Sequence, residues 1–95
     1  MPAYLVVTIN VTKPEQFAEY RALAGPAVAQ YGGKYLVRGG ARTVLEGKFG
    51  GNRLVVLEFP SSEMASTFYN SPEYLAAREK RIGAADFDMV LAEGA

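Results

Sequence analysis

Two stretches of the sequence have apolar residues at both odd-numbered and even-numbered positions, which would make both faces of a strand apolar. Residues 4–11 (YLVVTINV) and 53–59 (RLVVLEF) are rich in β-branched side chains and contain neither glycine nor proline, which is typical of strands. Odd-numbered and even-numbered positions are both largely apolar, so we expect both faces of each strand to be covered. Two further stretches, Lys34–Arg38 and Phe87–Glu93, predict two more strands.

The segment between the second and third strands is rich in glycine. Gly39 and Gly40 predict a bulge, after which the second strand resumes over Arg42–Glu46. Residues 47–52 (GKFGGN) then predict a turn.

The first helix follows the first strand. Residues 12–15 (TKPE) match a capping box with proline in the first turn, and the helix runs toward Tyr31. Gly25–Pro26 predicts a kink or a break, and Gly32–Gly33 predicts a left-handed stop. The aromatic side chains of this helix are interpreted as core, or else as walls of an aromatic pocket. The apolar stripe consists of Phe17, Tyr20, Leu23 or Ala24, Val28 and Tyr31.

A second helical region follows the third strand. Ser61 or Ser62 caps its first segment, and residues 70–73 (NSPE) interrupt it and cap a second segment that ends at Gly83. The side chains assigned to these segments are Met64, Phe68, Tyr69, Tyr74, Leu75, Arg78 and Ile82.

The order of elements, β-α-β followed by β-α-β, predicts an α+β fold. We expect a single domain over residues 1–95, a ferredoxin-like βαββαβ arrangement with a four-stranded antiparallel sheet and the helices on one face. The second face of the sheet is also apolar, and a second copy of the chain is the economical cover, which gives an isologous homodimer. The alternative is a half-exposed face with scattered apolar residues.

Composition narrows the functional classes. The chain has no cysteine and no histidine, which removes disulfides, thiolate nucleophiles, a histidine-held haem and the commonest general base, so we expect no metal and no tightly held cofactor. Lys and Arg together number 10, as do Asp and Glu, so no net positive field attracts nucleic acid. No apolar run approaches the roughly 20 residues of a membrane span, and no signal-peptide pattern is present, so we expect a cytoplasmic protein.

Several motifs carry a family resemblance over essentially the whole chain. The stretch AEYRALAGPAVAQYGGKYLVRGG, then Glu46, RLVVLEFPS, YNSPEY, Arg78 and a closing LAEG resemble the family known as domain of unknown function 1330 (DUF1330). That family resembles the dimeric α/β-barrel, ferredoxin-like superfamily, which includes antibiotic-biosynthesis monooxygenases, muconolactone isomerases, polyketide cyclases and haem-handling enzymes. The resemblance implies a homodimer with a cleft between sheet and helices, and it implies no particular reaction.

Arg38 is the first candidate site residue. If the second strand alternates regularly, Lys34, Leu36 and Arg38 share one face. An arginine on a covered face needs a partner, and its guanidinium suits a planar carboxylate. Arg38 therefore predicts either an anion clamp at the cleft or a structural ion pair with Glu46 or Glu58.

Two further groups complete the candidate site. Glu46 or Glu58 would serve as a general base if burial raised its pKa, and otherwise would be a structural partner of arginine. Tyr69, Tyr74 and Arg78 would line the cleft, or else form core and a cation–π pair.

Two functions stay open from these residues. The first is a homodimeric, cofactor-free enzyme that catalyses proton transfer or oxygenation on a small carboxylate-bearing molecule. The second is a non-catalytic dimer with a ligand-binding or structural role. An adaptor for nucleic acid or protein is disfavoured by the balanced charge.

Overall fold

A computed structural model describes all residues, 1–95, as four strands and three helices. The elements run in chain order as β1 (Ala3–Val11), α1 (Pro14–Gln30), β2 (Lys34–Arg38), β3 (Arg53–Phe59), α2 (Ser62–Tyr69), α3 (Pro72–Arg81) and β4 (Ala85–Glu93).

The four strands form one antiparallel sheet in the order β2-β3-β1-β4. The two strands that the sequence marks as apolar on both faces, β1 and β3, are the central pair. This order confirms the predicted ferredoxin-like α+β architecture, and the sheet is open rather than closed into a barrel.

Strand β1 shows how the sheet divides into two faces. Ala3, Leu5, Val7 and Ile9 are buried against the helices, and the residues between them are only half-buried. We call the helix-covered side the inner face and the opposite side the outer face. Side chains alternate along a strand, so the register of each neighbour assigns its residues to one face or the other.

The start of α1 differs from the predicted capping box. Lys13 occupies the N-cap position, no side chain caps the helix, and Pro14 takes the first turn. The backbone N–H groups of Thr12 and Lys13 both donate to the carbonyl of Ala84, at 2.8 and 3.0 Å. This contact with the segment before β4 fixes the entry of the chain into α1, which begins with Lys13 and not Thr12 at the N-cap position.

Helix α1 continues through Gly25–Pro26, and the predicted break there is wrong. The helix spans Pro14–Gln30 with Pro26 inside it. Ala24, Ala27 and Val28 flank the proline and are buried in the core, so packing against the sheet holds the helix together across it. The helix ends as predicted, because Gly32 has a φ of 79°.

Strand β2 differs from the predicted form in two ways. The irregularity lies between Tyr35 and Val37, at Leu36, and not at Gly39–Gly40. Residues 39–52 form no strand, so the predicted second half over Arg42–Glu46 is wrong. This segment is instead an exposed loop whose end is tied to β1, where the N–H of Asn52 donates to the carbonyl of Ile9 at 2.8 Å.

The bulge changes the faces of β2. Tyr35 lies opposite Leu57 and Arg38 lies opposite Val55, which places both on the inner face. Lys34, opposite Glu58, falls on the outer face. The prediction that Lys34, Leu36 and Arg38 share a face is therefore wrong, because Leu36 interrupts the alternation.

The caps of the later helices agree with the predictions. Ser61 Oγ accepts from the N–H of Met64, and Ser71 Oγ accepts from the N–H of Tyr74, both at 3.1 Å. Gly83, with a φ of 78°, follows the end of α3. No helix is both long enough and apolar enough to cross a membrane.

Candidate functional site

A cavity of about 120 Å³ lies between the inner face of the sheet and the helices. Its wall is apolar and largely aromatic, except for Gly39 and three arginines: Arg21, Arg38 and Arg53. No aspartate or glutamate lines it. The cavity therefore combines an apolar interior with uncompensated positive charge.

Arg38 reaches this cavity because the bulge at Leu36 turns it to the inner face. Its guanidinium carbon lies 4.0 Å from the centre of the Tyr35 ring, which is cation–π contact. It also approaches α1, since a Cβ added to Gly25 would lie 3.5 Å from Arg38 Nη2. The only salt bridge in the chain joins Lys34 to Glu58, so Arg38 has no acidic partner.

Arg53 lies on the same face, at the start of β3. Its guanidinium carbon is 5.5 Å from the centre of the Phe17 ring on α1. Nothing in the sequence distinguished Arg53 from an ordinary charged strand end. The signal that could have found it is its register with Ile9, which places it on the inner face of the sheet.

Three tyrosines line the cavity, Tyr20, Tyr35 and Tyr74, and two of them are joined by a hydrogen bond. The hydroxyl oxygens of Tyr20 on α1 and Tyr74 on α3 lie 2.8 Å apart and are buried. Burial, reinforced by the neighbouring Tyr74, raises the pKa of Tyr20 far above its usual range. Burial also raises the pKa of Tyr74, although the hydrogen bond with Tyr20 and the charge of Arg81 oppose the rise. Both phenols are therefore neutral hydrogen-bonding groups and not bases at physiological pH.

Arg81, the last residue of α3, lies close to the rings of Tyr20 and Phe87. Its guanidinium carbon lies 3.7 Å from the centre of the Phe87 ring and 5.6 Å from that of Tyr20. Its Nε is buried without a hydrogen-bond partner. The positive charge therefore lies beside the aromatic wall, and no sequence pattern distinguishes Arg81 from the solvated face of α3.

The two predicted carboxylates lie away from the cavity. Glu58 is on the outer face, 3.1 Å from Lys34 Nζ. The hydrogen bond from Lys34 is the main cause that lowers the pKa of Glu58. Glu46 is exposed in the loop over residues 39–52. Neither carboxylate lies beside Arg38, and the role of either as a base stays a prediction.

The remaining predicted site residues divide into two places. Tyr74 lines the cavity together with Arg38. Tyr69 and Arg78 do not line it, and they form a cation–π pair of their own, with the guanidinium carbon 4.4 Å from the ring centre. Arg78 therefore stacks on Tyr69 and not on Tyr74, its neighbour one helical turn away.

Several solved structures have a similar fold, and the similarity covers nearly the whole chain. A protein of unknown function from Rhodopseudomonas palustris, RPA0582, is 21% identical, with a TM-score of 0.75 over 99% of this chain and 82% of that one. Rv0793 from Mycobacterium tuberculosis is 16% identical, with a TM-score of 0.65 over 100% of this chain and 96% of that one.

A third similar structure carries an activity in its description. SnoaB, a cofactor-independent oxygenase from Streptomyces nogalater, is 13% identical, with a TM-score of 0.64 over 99% of this chain and 93% of that one. At these identities the likeness is one of fold.

The sequence itself gives the more direct assignment. No curated protein matches it. A family model does match, and it covers all but the first residue. The chain belongs to the family described as Domain of unknown function (DUF1330), whose model matches residues 2–95.

Proposed function

We propose that the protein binds a small, largely apolar molecule that carries a carboxylate or another acidic group. The observation that carries this proposal is Arg38, an arginine on the wall of an apolar cavity without an acidic partner. A guanidinium can donate two parallel hydrogen bonds to a carboxylate, so a ligand with such a group would neutralise Arg38 and fill the space beside it.

The size of the cavity sets the size of the ligand. It holds about 120 Å³, and an apolar cavity of about 150 Å³ accepts benzene. The cavity is therefore somewhat smaller than one that accepts benzene, so a short branched chain, or at most a single ring that is not fully enclosed, sets the size limit, with its acidic group toward the exposed Arg38. The aromatic side chains around the cavity favour a flat apolar body.

The tyrosine pair adds one polar contact inside the cavity. One hydroxyl proton bridges Tyr20 and Tyr74, and the other is left for a ligand oxygen. A neutral carbonyl, ether or hydroxyl oxygen at that place would accept it. The proposed ligand therefore has three parts: an apolar body, one neutral oxygen beside the tyrosine pair, and an acidic group beside Arg38.

A thermal-shift titration with benzoate and cyclohexanecarboxylate tests the proposal. A ligand that binds only the folded protein raises the melting temperature. We expect a rise in the wild type that is lost in Arg38→Gln. Arg78→Gln is the matched control, because it removes an arginine that also stacks on a tyrosine but lies outside the cavity. Equal shifts in wild type and Arg38→Gln would contradict the role of Arg38.

A second candidate function is cofactor-independent oxygenation, the activity named for SnoaB. It is favoured by the free tyrosine hydroxyl and the arginines, which would stabilise the negative oxygen of a substrate enolate. In such a reaction a CH₂ group and O₂ give a C=O group and water. Because no carboxylate lines the cavity, the substrate must ionise without a buried base.

Oxygen uptake separates this candidate from binding alone. The probe is 1,3-cyclohexanedione, a ring that ionises readily to an enolate. We expect oxygen consumption that depends on the protein and falls in Arg38→Gln. Binding of the dione without oxygen uptake would remove this candidate and leave the binding function.

We also propose that the outer face of the sheet packs against a second copy of the chain. Val6 lies between Val56 and Val90 in the strand register, so the centre of that face is apolar. The molecule is a slab 33 by 32 Å and 16 Å thick. Its broad side offers on the order of 1,000 Å², and a typical stable interface buries about 800 Å² per partner.

The dimer is tested by sedimentation equilibrium. We expect twice the chain mass for the wild type and the chain mass for Val56→Asp, because the aspartate would be buried without a partner at the interface. A wild type that sediments as a monomer at micromolar concentration would contradict this proposal.

A further inference from the structure

Arg38 and Arg53 are placed as a pair by the register of β2 and β3. Arg38 lies directly opposite Val55, and Arg53 is two residues before Val55 on the same strand. The two arginines are therefore diagonal neighbours on the inner face, a relation that puts Cβ atoms about 7–8 Å apart. Both line the cavity.

The two positive charges are held in place without being neutralised. Arg38 stacks over Tyr35, and Arg53 lies over Phe17. Neither forms a salt bridge, since the one salt bridge of the chain lies on the outer face. Arg38 is exposed and Arg53 is half-buried, so solvent weakens the repulsion between the two charges and both guanidinium groups stay open to an anion.

A glycine lies beside each of the two arginine side chains. The nearest atom to a Cβ added at Gly39 would be Arg53 Cδ, at 4.0 Å, and Gly39 itself borders the cavity. A Cβ added at Gly25 would lie 3.5 Å from Arg38 Nη2. Gly39 therefore leaves the space beside the Arg53 side chain free, whereas Gly25 lets α1 approach the Arg38 guanidinium closely.

We propose that Arg38 and Arg53 form a two-armed anion clamp, which assigns the ligand class as a single ring with two acidic groups on one edge. This inference rests on the proposed binding function and deepens it. One acidic group pairs with each arginine, and the opposite edge of the ring enters the apolar interior. Two carboxylates in 1,3 relation on a six-membered ring, as in isophthalate, have this form.

The interior of the cavity explains why both acidic groups must share an edge. Away from the arginines the wall is apolar, and the tyrosine pair offers a single free hydroxyl proton. A carboxylate in that region would lose its water and find too few hydrogen-bond donors, which would cost binding free energy. Terephthalate has the charge and ring of isophthalate but carries its carboxylates on opposite edges, so it is the matched control ligand.

Isothermal titration calorimetry with three probes tests the clamp: benzoate, isophthalate and terephthalate. We expect the wild type to bind isophthalate tighter than benzoate by on the order of tenfold to a hundredfold, the contribution of one additional charge-assisted interaction. Terephthalate should bind no tighter than benzoate. Arg53→Gln should lose the preference and bind isophthalate and benzoate with similar affinity.

Two further variants control for folding and for general charge. Arg53→Lys keeps the positive charge without the planar fork, and we expect it to retain part of the preference. Lys80→Gln removes one positive charge from an exposed position on α3 outside the cavity and should leave all three affinities unchanged. A preference that falls equally in Lys80→Gln would show general attraction and would overturn the clamp.

The remaining outcomes separate the clamp from the underlying function. Benzoate binding through Arg38 with no added affinity for isophthalate would overturn the clamp and leave the proposed function standing. Equal affinity for isophthalate and terephthalate would also overturn the clamp, because the affinity would then depend on the charge of the ligand and not on the positions of its two carboxylates. No binding of any probe would overturn both the clamp and the proposed function.

Discussion

The hydroxyl oxygens of Tyr20 and Tyr74 lie 2.8 Å apart and join helix α1 to helix α3 across the wall of the cavity. Their rings also meet edge to face, with centroids 6.1 Å apart. Both hydroxyls are buried, and the one hydrogen bond between them gives each hydroxyl a polar partner while using only one of the two protons. The pair is thus a structural link between two helices as well as the polar point of the cavity.

We predict that Tyr74→Phe lowers the free energy of unfolding by about 1–3 kcal/mol, because it leaves the buried Tyr20 hydroxyl without its partner. The double variant Tyr20→Phe/Tyr74→Phe should cost less than the sum of the two single changes, since no hydroxyl is then stranded. Urea denaturation of the four proteins measures this coupling. Strictly additive costs would show that the two hydroxyls do not interact.

A second prediction concerns the close contact at Gly33, between α1 and β2. A Cβ at this position would lie 2.6 Å from Phe59 Cζ and 2.9 Å from Val28 Cγ1, both in the core. We predict that Gly33→Ala lowers the free energy of unfolding by about 1–3 kcal/mol, the usual cost of overpacking. Differential scanning calorimetry should show a lower melting temperature.

Gly50→Ala is the matched control for that change. Gly50 lies in the exposed loop, has no positive φ, and a Cβ there meets no atom within 4 Å. Its melting temperature should stay close to that of the wild type. If the two alanine variants melted alike, the packing at Gly33 would not be as tight as the structure shows.

The sequence was sufficient for the fold because local signals and tertiary packing agree there. Strands β1 and β3 are rich in β-branched and apolar residues without glycine or proline. The caps at Ser61 and Ser71 are hydrogen bonds between residues three apart, so a local sequence pattern predicts them. The errors arose where distant contacts override local signals. The carbonyl of Ala84 holds the chain before α1 so that Lys13 takes the N-cap position, and core packing holds α1 together across Pro26.

The candidate site was harder to predict because it depends on the position of one bulge. Regular alternation from Lys34 puts Leu36 and Arg38 together, whereas the irregularity at Leu36 pairs Arg38 with Tyr35 instead. Arg53 becomes its neighbour only through the register of β3. No residue type or spacing in the sequence encodes that register, so the paired arginines could be found only from the structure.

A third prediction follows from the ion pair on the outer face. The hydrogen bond from Lys34 holds the pKa of Glu58 below the ordinary value of 4.5, and a hydrogen bond from Tyr4 acts in the same direction. The folded-state pKa lies below the unfolded one, so the stabilising effect is present above about pH 4.5 and is lost as the pH falls through the folded-state pKa. We predict that Glu58→Gln unfolds with a shallower acid dependence than the wild type.

Urea unfolding at several pH values between neutral and about pH 3 measures that dependence. Glu46→Gln is the control, because Glu46 is an exposed carboxylate in the loop over residues 39–52 that forms no salt bridge. It should leave the acid dependence unchanged. High salt should weaken the effect in the wild type, since the pair is near the surface. Parallel curves for wild type and Glu58→Gln would be incompatible with the pair as described.

A fourth prediction uses Gly25 to test where Arg38 sits. The nearest atom to an added Cβ is Arg38 Nη2 at 3.5 Å, which is an ordinary contact distance. We therefore expect Gly25→Ala to leave Arg38 in place but to lack the usual stabilising gain of alanine over glycine inside a helix, because a Cβ on the residue before Pro26 is crowded by the proline ring. Gly25→Leu places further carbon atoms in the space of the guanidinium and should displace it from the cavity wall.

The consequence of Gly25→Leu is measured by calorimetric titration with benzoate, where we expect at least about a tenfold loss of affinity with the fold retained. Ala29→Leu is the control, because Ala29 is exposed on the same helix and does not line the cavity. It adds a bulkier apolar side chain on α1 away from the site and should bind benzoate as the wild type does. Normal benzoate binding by Gly25→Leu would contradict this prediction. It would show that benzoate does not need Arg38 in its observed position, stacked over Tyr35 and beside Gly25.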